Sequence, residues 1–292
     1  MKVFTWLITT SICSISCQSR LDKTEASIRR ELAGLKGTFA VAFEDLSTGD
    51  QILINEKEVF HAASTMKTAV MIEIYKQARE GRFKLSDSIA VKNEFKSIVD
   101  GSPYRLDLGD DSETELYAKV GTQSTIYDLT YEMIIVSSNL ATNILIELVD
   151  PRKVTQSMRD LGAADIQVLR GVEDSKAYQQ GLSNTTTAYD LMVIMKAIAN
   201  GKVVSPEACV EMTKILLDQQ FNEIIPAKLP ADVKVAHKTG SITGVNHDSG
   251  FIILPDGRKY VLVVLSKEVE DKDAAIAAMA NISRIIYEAV SD

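Results

Sequence analysis

Strand-forming sequence lies near both ends of this chain, and a long helical stretch separates the two parts. Residues 38–44 and 51–55 are typical of two strands joined by a turn, and Pro-Asp-Gly-Arg at 255–258 is a hairpin signal between two further strands. Between about residues 64 and 220 the apolar residues recur with the helical period. The terminal strands can therefore share one antiparallel sheet, with the helical stretch as a second lobe. Pockets tend to form between such lobes.

The charge balance argues against one large class of partner. With 32 Lys plus Arg against 40 Asp plus Glu, the formal net charge is −8, whereas nucleic-acid binding needs a basic surface. The chain has three Cys, too few for a disulfide framework, and three scattered His, which argue against a histidine-rich metal site. We therefore expect no metal, no cofactor and no nucleic-acid partner. Since no apolar run reaches about 18 residues, we also expect no transmembrane helix.

The N-terminus is typical of an export signal. Residues 1–16 carry a single charge and a short apolar stretch, which predicts a cleaved secretory segment. The sequence Ser14-Ile15-Ser16-Cys17 resembles a bacterial lipobox, in which the cysteine becomes the lipidated first residue of the mature protein. We predict an exported protein of the bacterial periplasm or envelope, with Cys17 as a membrane anchor. Plain secretion with an unmodified Cys17 is the alternative.

The first chemical motif is Ser64-Thr65-Met66-Lys67, where the first helix of the insert begins. A spacing of three places Ser64 and Lys67 on one helix face, about one turn apart. A serine hydroxyl is a poor nucleophile until a base takes its proton, and a lysine can be that base only if its pKa is lowered. The motif predicts a nucleophile and its base. The alternative is a capping serine beside a solvated lysine.

The second motif, Ser137-Ser138-Asn139, lies between two predicted helices. Ser137 is a candidate for passing a proton to a leaving group, and Asn139 for hydrogen bonding to an amide of a substrate. Because Ser and Asn are favoured at helix ends, the alternative is that these residues only cap a helix.

The third motif, His-Lys-Thr-Gly-Ser at 237–241, lies at the end of a predicted strand. Lys238 offers a cation to a substrate carboxylate and helps to lower the pKa of Lys67. The hydroxyls of Thr239 and Ser241 are candidates for binding the same carboxylate. An ordinary strand and turn is the alternative.

Backbone groups of the first and third motifs complete this prediction. Gly240 lets a substrate lie close against the strand. The N–H groups of Ser241 and Ser64 together would form an oxyanion hole, with the helix N-terminus adding its positive dipole end.

Taken together and in this order, the three motifs resemble those of the class A serine β-lactamases and, more distantly, of the penicillin-binding DD-peptidases. The resemblance covers nearly the whole mature chain and includes Asn143 and the helix start at 184–187. It implies an α+β fold of three α/β/α layers, a five-stranded antiparallel sheet flanked by helices plus an inserted all-helical lobe. It also implies that the active site lies between the lobes, that a β-lactam is the substrate and that Ser64 carries an acyl ester.

These expectations define the domain organisation. Residues 17–292 form one catalytic domain, with an α/β lobe at about 21–60 and 225–292 and a helical lobe at about 61–224. A monomer is the default expectation.

In class A enzymes a glutamate on a loop activates the water that hydrolyses the ester, and Glu173 is the candidate here. Asp174 is the alternative. The loop departs from the family pattern, because Glu173 follows Arg170 by three residues rather than two, and Ala177 replaces the usual asparagine. Asn184 replaces the acid that normally faces the arginine.

Two other features also depart from the family. Ser138 stands where the family most often has an aspartate, and no arginine matches the distal one that grips the substrate carboxylate, since Arg258 lies in a hairpin turn. A related serine hydrolase, either a DD-peptidase or an esterase, is therefore the second hypothesis. A non-catalytic envelope protein that binds β-lactams or peptidoglycan is the third.

Overall fold

A computed structural model describes residues 9–291 of the chain, with side chains from Arg20 onward. Much of the predicted signal segment at 1–16 and the side chain of Cys17 lie outside the described residues, so export and lipidation stay predictions. Within the described range, no helix combines the length and the apolar character needed to cross a membrane.

The described part of the chain alternates helices and strands in an order close to the predicted one. The helices are α1 Thr9–Leu32, α2 Met66–Arg79, α3 Ile126–Ile135, α4 Asn139–Val149, α5 Pro151–Asp160, α6 Ser175–Gln179, α7 Ala188–Ala199, α8 Pro206–Leu217 and α9 Lys272–Ser291. The strands are β1 Thr38–Asp45, β2 Gln51–Ile54, β3 Phe60–His61, β4 Ser88–Ala90, β5 Phe95–Lys96, β6 Pro103–Tyr104, β7 Gln123–Thr125, β8 Thr185–Thr186, β9 Lys234–Ile242, β10 Val245–Ile253 and β11 Lys259–Lys267.

One five-stranded sheet joins the two ends of the chain, as predicted. Its strand order is β2-β1-β11-β10-β9, and every neighbouring pair is antiparallel. The N-terminal and C-terminal parts meet where β1 pairs with β11, with Val41 opposite Val264. Strand β9 forms one edge of the sheet, so one row of its backbone groups is not paired with another strand.

The sheet is covered on both faces, which produces the predicted α/β/α layers. Successive residues of a strand point to opposite faces. Accordingly, Val41 and Phe43 pack with apolar residues of α1 and α9, whereas Ala40 and Ala42 belong to the core shared with the helical insert. At the centre of that insert, 11 of the 14 residues of α2 are buried. A helix buried almost all round is typical of the interior of a helical bundle.

Several helix starts follow directly from their capping residues. The hydroxyl of Thr125 accepts a hydrogen bond from the Asp128 N–H, and that of Thr187 accepts one from the Asp190 N–H, as is typical of threonine at an N-cap. Cys209 is buried in α8, as expected for a small apolar core residue.

Local sequence patterns leave several element limits open. Helix α1 begins at Thr9, and strands β9 and β10 run through Lys234–Ile242 and Val245–Ile253. The Asp150-Pro151 pair ends α4 and also starts α5. The Asp150 carboxylate accepts the Arg152 N–H, and Pro151 occupies the first helical turn, where its missing N–H costs nothing.

Candidate active site

The candidate nucleophile lies on a tight turn at the centre of the molecule. Ser64 is in a 3₁₀ turn, Ala63–Thr65, that leads directly into α2. This turn packs against β9 and β10, and Ser64 lines a cleft of about 470 Å³. Ala63, just before the serine, has a φ of +44°, which non-glycine residues rarely adopt. Such backbone strain is typical of functional sites.

The edge strand β9 approaches this turn unusually closely because of one glycine. A Cβ atom on Gly240 would lie 3.0 Å from the Ser64 nitrogen, 3.1 Å from the Thr65 nitrogen and 3.2 Å from the Ala63 Cβ. Ser241, the next residue, lines the same cleft as Ser64. The missing side chain at Gly240 therefore brings these two predicted oxyanion donors to one cleft.

Lys67 is fully buried, so the alternative of a solvated lysine is wrong. Its ammonium donates to the Ser137 carbonyl at 2.7 Å, the Ser137 hydroxyl at 3.2 Å and the Asn139 side-chain oxygen at 2.9 Å. Burial lowers the pKa of Lys67 to about 7, against the opposing charges of Asp111 and Glu173. Among the described contacts it makes no hydrogen bond to the Ser64 hydroxyl. Catalytic hydrogen bonds often tighten only when substrate is bound.

A second buried lysine meets the first at the Ser137 hydroxyl. Lys238 donates to the Ser137 hydroxyl at 3.0 Å and to the Thr239 carbonyl at 2.9 Å. Burial, reinforced by the neighbouring charge of Lys67, holds the pKa of Lys238 well below its usual value, while Asp248 opposes this. The Ser137 hydroxyl therefore receives hydrogen bonds from two buried amines.

The two serines of the second motif, which lie between α3 and α4, have different roles. Ser137 has a φ of +58°, which turns its side chain toward the lysines. Ser138 is the N-cap of α4 and accepts the Ala141 N–H at 3.2 Å. The alternative of a simple helix cap therefore holds for Ser138, whereas the Ser137 hydroxyl contacts the two lysines.

The loop glutamate lies at the other side of Asn139. Glu173 has a φ of +61°, and its carboxylate accepts the Asn139 side-chain amide at 3.0 Å and the Asp107 N–H at 3.4 Å. Burial is the main cause that raises the pKa of Glu173, and the charge of Asp111 adds to it. Because the oxygen of the same amide binds Lys67, Asn139 connects the acid to the amine.

Asp174, the alternative to Glu173, has a structural position. Its buried carboxylate accepts the Ser97 hydroxyl, the Ile98 N–H and the Ala177 N–H, so it caps α6 and ties the loop to another segment. These three hydrogen bonds and the nearly complete burial of the side chain fit a structural role for Asp174.

Neutral amide groups close the neck of the loop between Arg170 and Asn184. The Asn184 side-chain oxygen accepts the N–H groups of Leu169 and Arg170, and its amide donates to the Arg170 carbonyl. The Arg170 guanidinium donates to two backbone carbonyls, those of Leu182 and Gly171. The asparagine thus closes the loop without the acid that the family usually places there.

Asn143, in α4, fixes the backbone of the loop just before Glu173. Its side chain accepts the Val172 N–H at 2.6 Å and donates to the Val172 carbonyl at 3.0 Å. A Cβ atom on Gly171 would lie only 2.3 Å from the Asn143 side-chain oxygen. The loop can therefore approach α4 this closely only with glycine at 171.

A family comparison agrees with this arrangement. A model of the beta-lactamase enzyme family matches residues 23–290, which is most of the chain. The chain belongs to the beta-lactamase enzyme family.

Individual family members extend over nearly the same length. A beta-lactamase of Bacteroides uniformis is 24% identical over 295 residues, covering 96% of this chain and 96% of that protein. The solved beta-lactamase of Sphaerobacter thermophilus is 27% identical with a TM-score of 0.78, covering 94% and 97% of the two chains. A variant of PBP-A, solved as an acyl-enzyme complex with penicillin G, is 25% identical with a TM-score of 0.76, covering 94% and 97%.

The remaining predicted residues of this beta-lactamase family member also lie in or beside the cleft. Thr239 and Ser241 line it together with Ser64, while Arg258 lies elsewhere, bonded to Asp256 and the Val290 carbonyl. The described residues contain no group of three or more His, Cys, Asp or Glu side chains placed to hold a metal ion.

One residue that contacts the site was missed from the sequence. Asp111 is nearly buried, and its carboxylate accepts the backbone N–H groups of Asn139 and Leu140, each at 3.0 Å. It also accepts the Tyr117 hydroxyl at 3.0 Å. The Gly-Asp-Asp stretch at 109–111 is typical of a surface turn, and no local pattern connects it to a helix start 28 residues later.

Proposed function

We propose that the protein is an exported class A-type serine β-lactamase that opens the β-lactam amide through an acyl ester on Ser64. The observation that carries the proposal is the Ser137 hydroxyl, which lies in the same cleft as Ser64 and receives hydrogen bonds from Lys67 and Lys238. A serine, two buried lysines and a second serine supply a nucleophile, a base and a proton path without a metal ion.

Acylation follows from the pKa of Lys67. With that pKa near 7, a large share of the lysine is neutral at neutral pH and accepts the Ser64 proton as the Ser64 oxygen attacks the lactam carbonyl carbon. The Ser64 and Ser241 N–H groups stabilise the oxyanion. The carbon–nitrogen bond then breaks, and the ring nitrogen takes a proton from the Ser137 hydroxyl, which Lys67 replenishes.

Deacylation depends on Glu173, which accepts a hydrogen bond from the Asn139 amide nitrogen. Glu173, whose pKa is raised by burial, takes a proton from a water molecule that attacks the ester carbonyl. The bond to Ser64 breaks, the serine regains a proton and a ring-opened acid is released. Asn139 holds the glutamate at 3.0 Å and is also placed to bind the amide of the substrate side chain.

Recognition of the substrate carboxylate is assigned to Lys238, Thr239 and Ser241. The side chain of Lys238 is fully buried, and the next residue, Thr239, lines the cleft together with Ser241. A cation with two nearby hydroxyls suits the carboxylate that penicillins and cephalosporins carry.

The test combines turnover with mass spectrometry. Purified protein should hydrolyse a chromogenic cephalosporin, and a rapidly quenched sample should carry one penicillin adduct on Ser64. The Ser64→Ala variant is the control and should show neither signal. A wild-type protein that never gains the mass of penicillin would refute the proposal.

A related penicillin-binding serine hydrolase, either a DD-peptidase or an esterase, is the second candidate, because Ala177 replaces the asparagine that class A loops usually place near the water. The PBP-A variant described as an acyl-enzyme complex with penicillin G has a similar structure. One stable adduct per Ser64, with no release over hours, would favour this candidate over a β-lactamase.

Lipid anchoring and monomeric state are part of the same proposal. After expression with its own N-terminus, the protein should partition into detergent and give a diacylated N-terminal Cys17 peptide. The Cys17→Ser variant should remain in the aqueous phase, and a wild-type protein found there would contradict the anchor. Light scattering of the mature domain should give the mass of one chain.

A further inference from the structure

We propose that Asp111 is a positioning residue that holds the start of α4, and with it Asn139, the side chain that binds Lys67. This inference rests on the proposed function, in which neutral Lys67 accepts the Ser64 proton. It assigns a role in the reaction to the polar segment at 96–123, which the sequence indicated only as a surface excursion.

The geometry of the carboxylate supports the positioning role. Both of its oxygens lie 3.0 Å from the Asn139 nitrogen, and one also lies 3.0 Å from the Leu140 nitrogen. The first N–H groups of a helix have no partner within the helix, and an acceptor with negative charge is favoured there. The Ser138 hydroxyl accepts the Ala141 N–H, and Asp111 supplies the acceptor for the N–H groups of Asn139 and Leu140.

Asp111 is itself held in place from its own segment. The Tyr117 hydroxyl donates to one oxygen at 3.0 Å, and the Glu113 N–H donates to the other at 3.2 Å. Burial, together with the charge of Asp111, raises the pKa of Tyr117, so the phenol remains a donor. The carboxylate is therefore fixed between the polar segment and α4.

The charge of Asp111 acts on the base as well as on the backbone. The titratable groups that face Lys67 are Lys238 from β9, Glu173 from the loop and Asp111 from the polar segment. Asp111 is the larger of the two charges that raise the pKa of Lys67 against its burial. Removing this charge should make Lys67 more acidic and should leave the burial of the lysine unchanged.

The Asp111→Asn variant tests the proposal. The pKa of Lys67, read from labelled lysine side chains by NMR without any β-lactam, should fall below its wild-type value, because one of the two charges that raise it is removed. The acid limb of the acylation rate should move to lower pH by the same amount. Amide exchange of Asn139 and Leu140 should become faster.

Glu113→Gln is the matched control, because Glu113 lies in the same segment and also accepts backbone N–H groups but does not act on Lys67. This control should titrate like the wild type. Asp111→Ala should slow acylation by about 10- to 100-fold with little change in KM, as expected for a misplaced active-site group.

Identical lysine titration and identical exchange at Asn139 in wild type and Asp111→Asn would overturn the proposal. If thermal melting shows that the asparagine variant is unfolded, Tyr117→Phe replaces it and should speed amide exchange at Asn139. Wild-type protein that is not acylated by penicillin would refute the proposed function, whereas the titration and exchange results would still decide the role of Asp111.

Discussion

A methyl group at position 240 is the sharpest single perturbation of this site. In the Gly240→Ala variant the new Cβ would lie 3.0 Å from the Ser64 nitrogen and 3.1 Å from the Thr65 nitrogen. Donors in an oxyanion hole work at about 2.7–3.1 Å from the oxygen that they bind. The methyl group would therefore occupy space that the substrate carbonyl needs next to the Ser64 N–H.

The expected loss can be given as a number. Losing one oxyanion donor reduces the rate by about 10²- to 10³-fold, or about 2.7–4 kcal/mol. Acylation of Gly240→Ala, measured by stopped-flow with a chromogenic cephalosporin, should fall by this factor. Overpacking by one methyl group costs about 1–3 kcal/mol of stability, so the variant should remain folded and melt at a lower temperature.

Gly37→Ala separates the local effect from general destabilisation. Its Cβ would lie 3.0 Å from the Lys267 carbonyl oxygen, at the end of the same sheet and outside the residues that line the cleft. This control should melt earlier and should keep most of its acylation rate per folded molecule. A Gly240→Ala protein that is acylated within about threefold of the wild-type rate would refute the reasoning, because the donor would then not be needed.

Three further predictions concern the base, the acid and the loop. Because only neutral Lys67 accepts a proton and its pKa is about 7, the acylation rate measured against pH should fall tenfold per unit well below pH 7 and level off above it; a flat profile would contradict this. Glu173→Gln should accumulate an acyl-enzyme visible by mass spectrometry, and unchanged turnover would assign deacylation to another group. In Gly171→Ala the new Cβ would lie 2.3 Å from the Asn143 side-chain oxygen. This variant should slow deacylation about 10- to 100-fold while acylation changes less. Equal losses in both steps would contradict a local effect on the loop.

Much of the fold was accessible from local sequence because the signals are local. The hairpin turn at 255–258 and the capping residues Thr125 and Thr187 act within a few positions of themselves. The Asp150-Pro151 pair shows the limit of such signals. The same residues that end one helix also cap and start the next, and only packing decides between the two outcomes.

Spacing alone predicts the site only where a motif contains its own partners. Ser64 and Lys67 share one helical turn, so their proximity follows from spacing. The contact of Asp111 with Asn139 spans 28 residues and depends on how an irregular segment folds back. The positive φ angle of Ser137, which brings its hydroxyl to both lysines, likewise comes from tertiary structure and not from residue type.

The hydrogen bonds of Asn184 that close the neck of the loop affect how the protein responds to pH and salt. Asn184 fastens the backbone of Arg170 through neutral groups, which neither titrate nor attract counter-ions. Screening by dissolved ions weakens exposed charge pairs but has little effect on bonds between uncharged partners. The neck of the loop that carries Glu173 should therefore hold at low pH and at high salt, whereas the contacts of Asp174 further along the loop depend on a carboxylate.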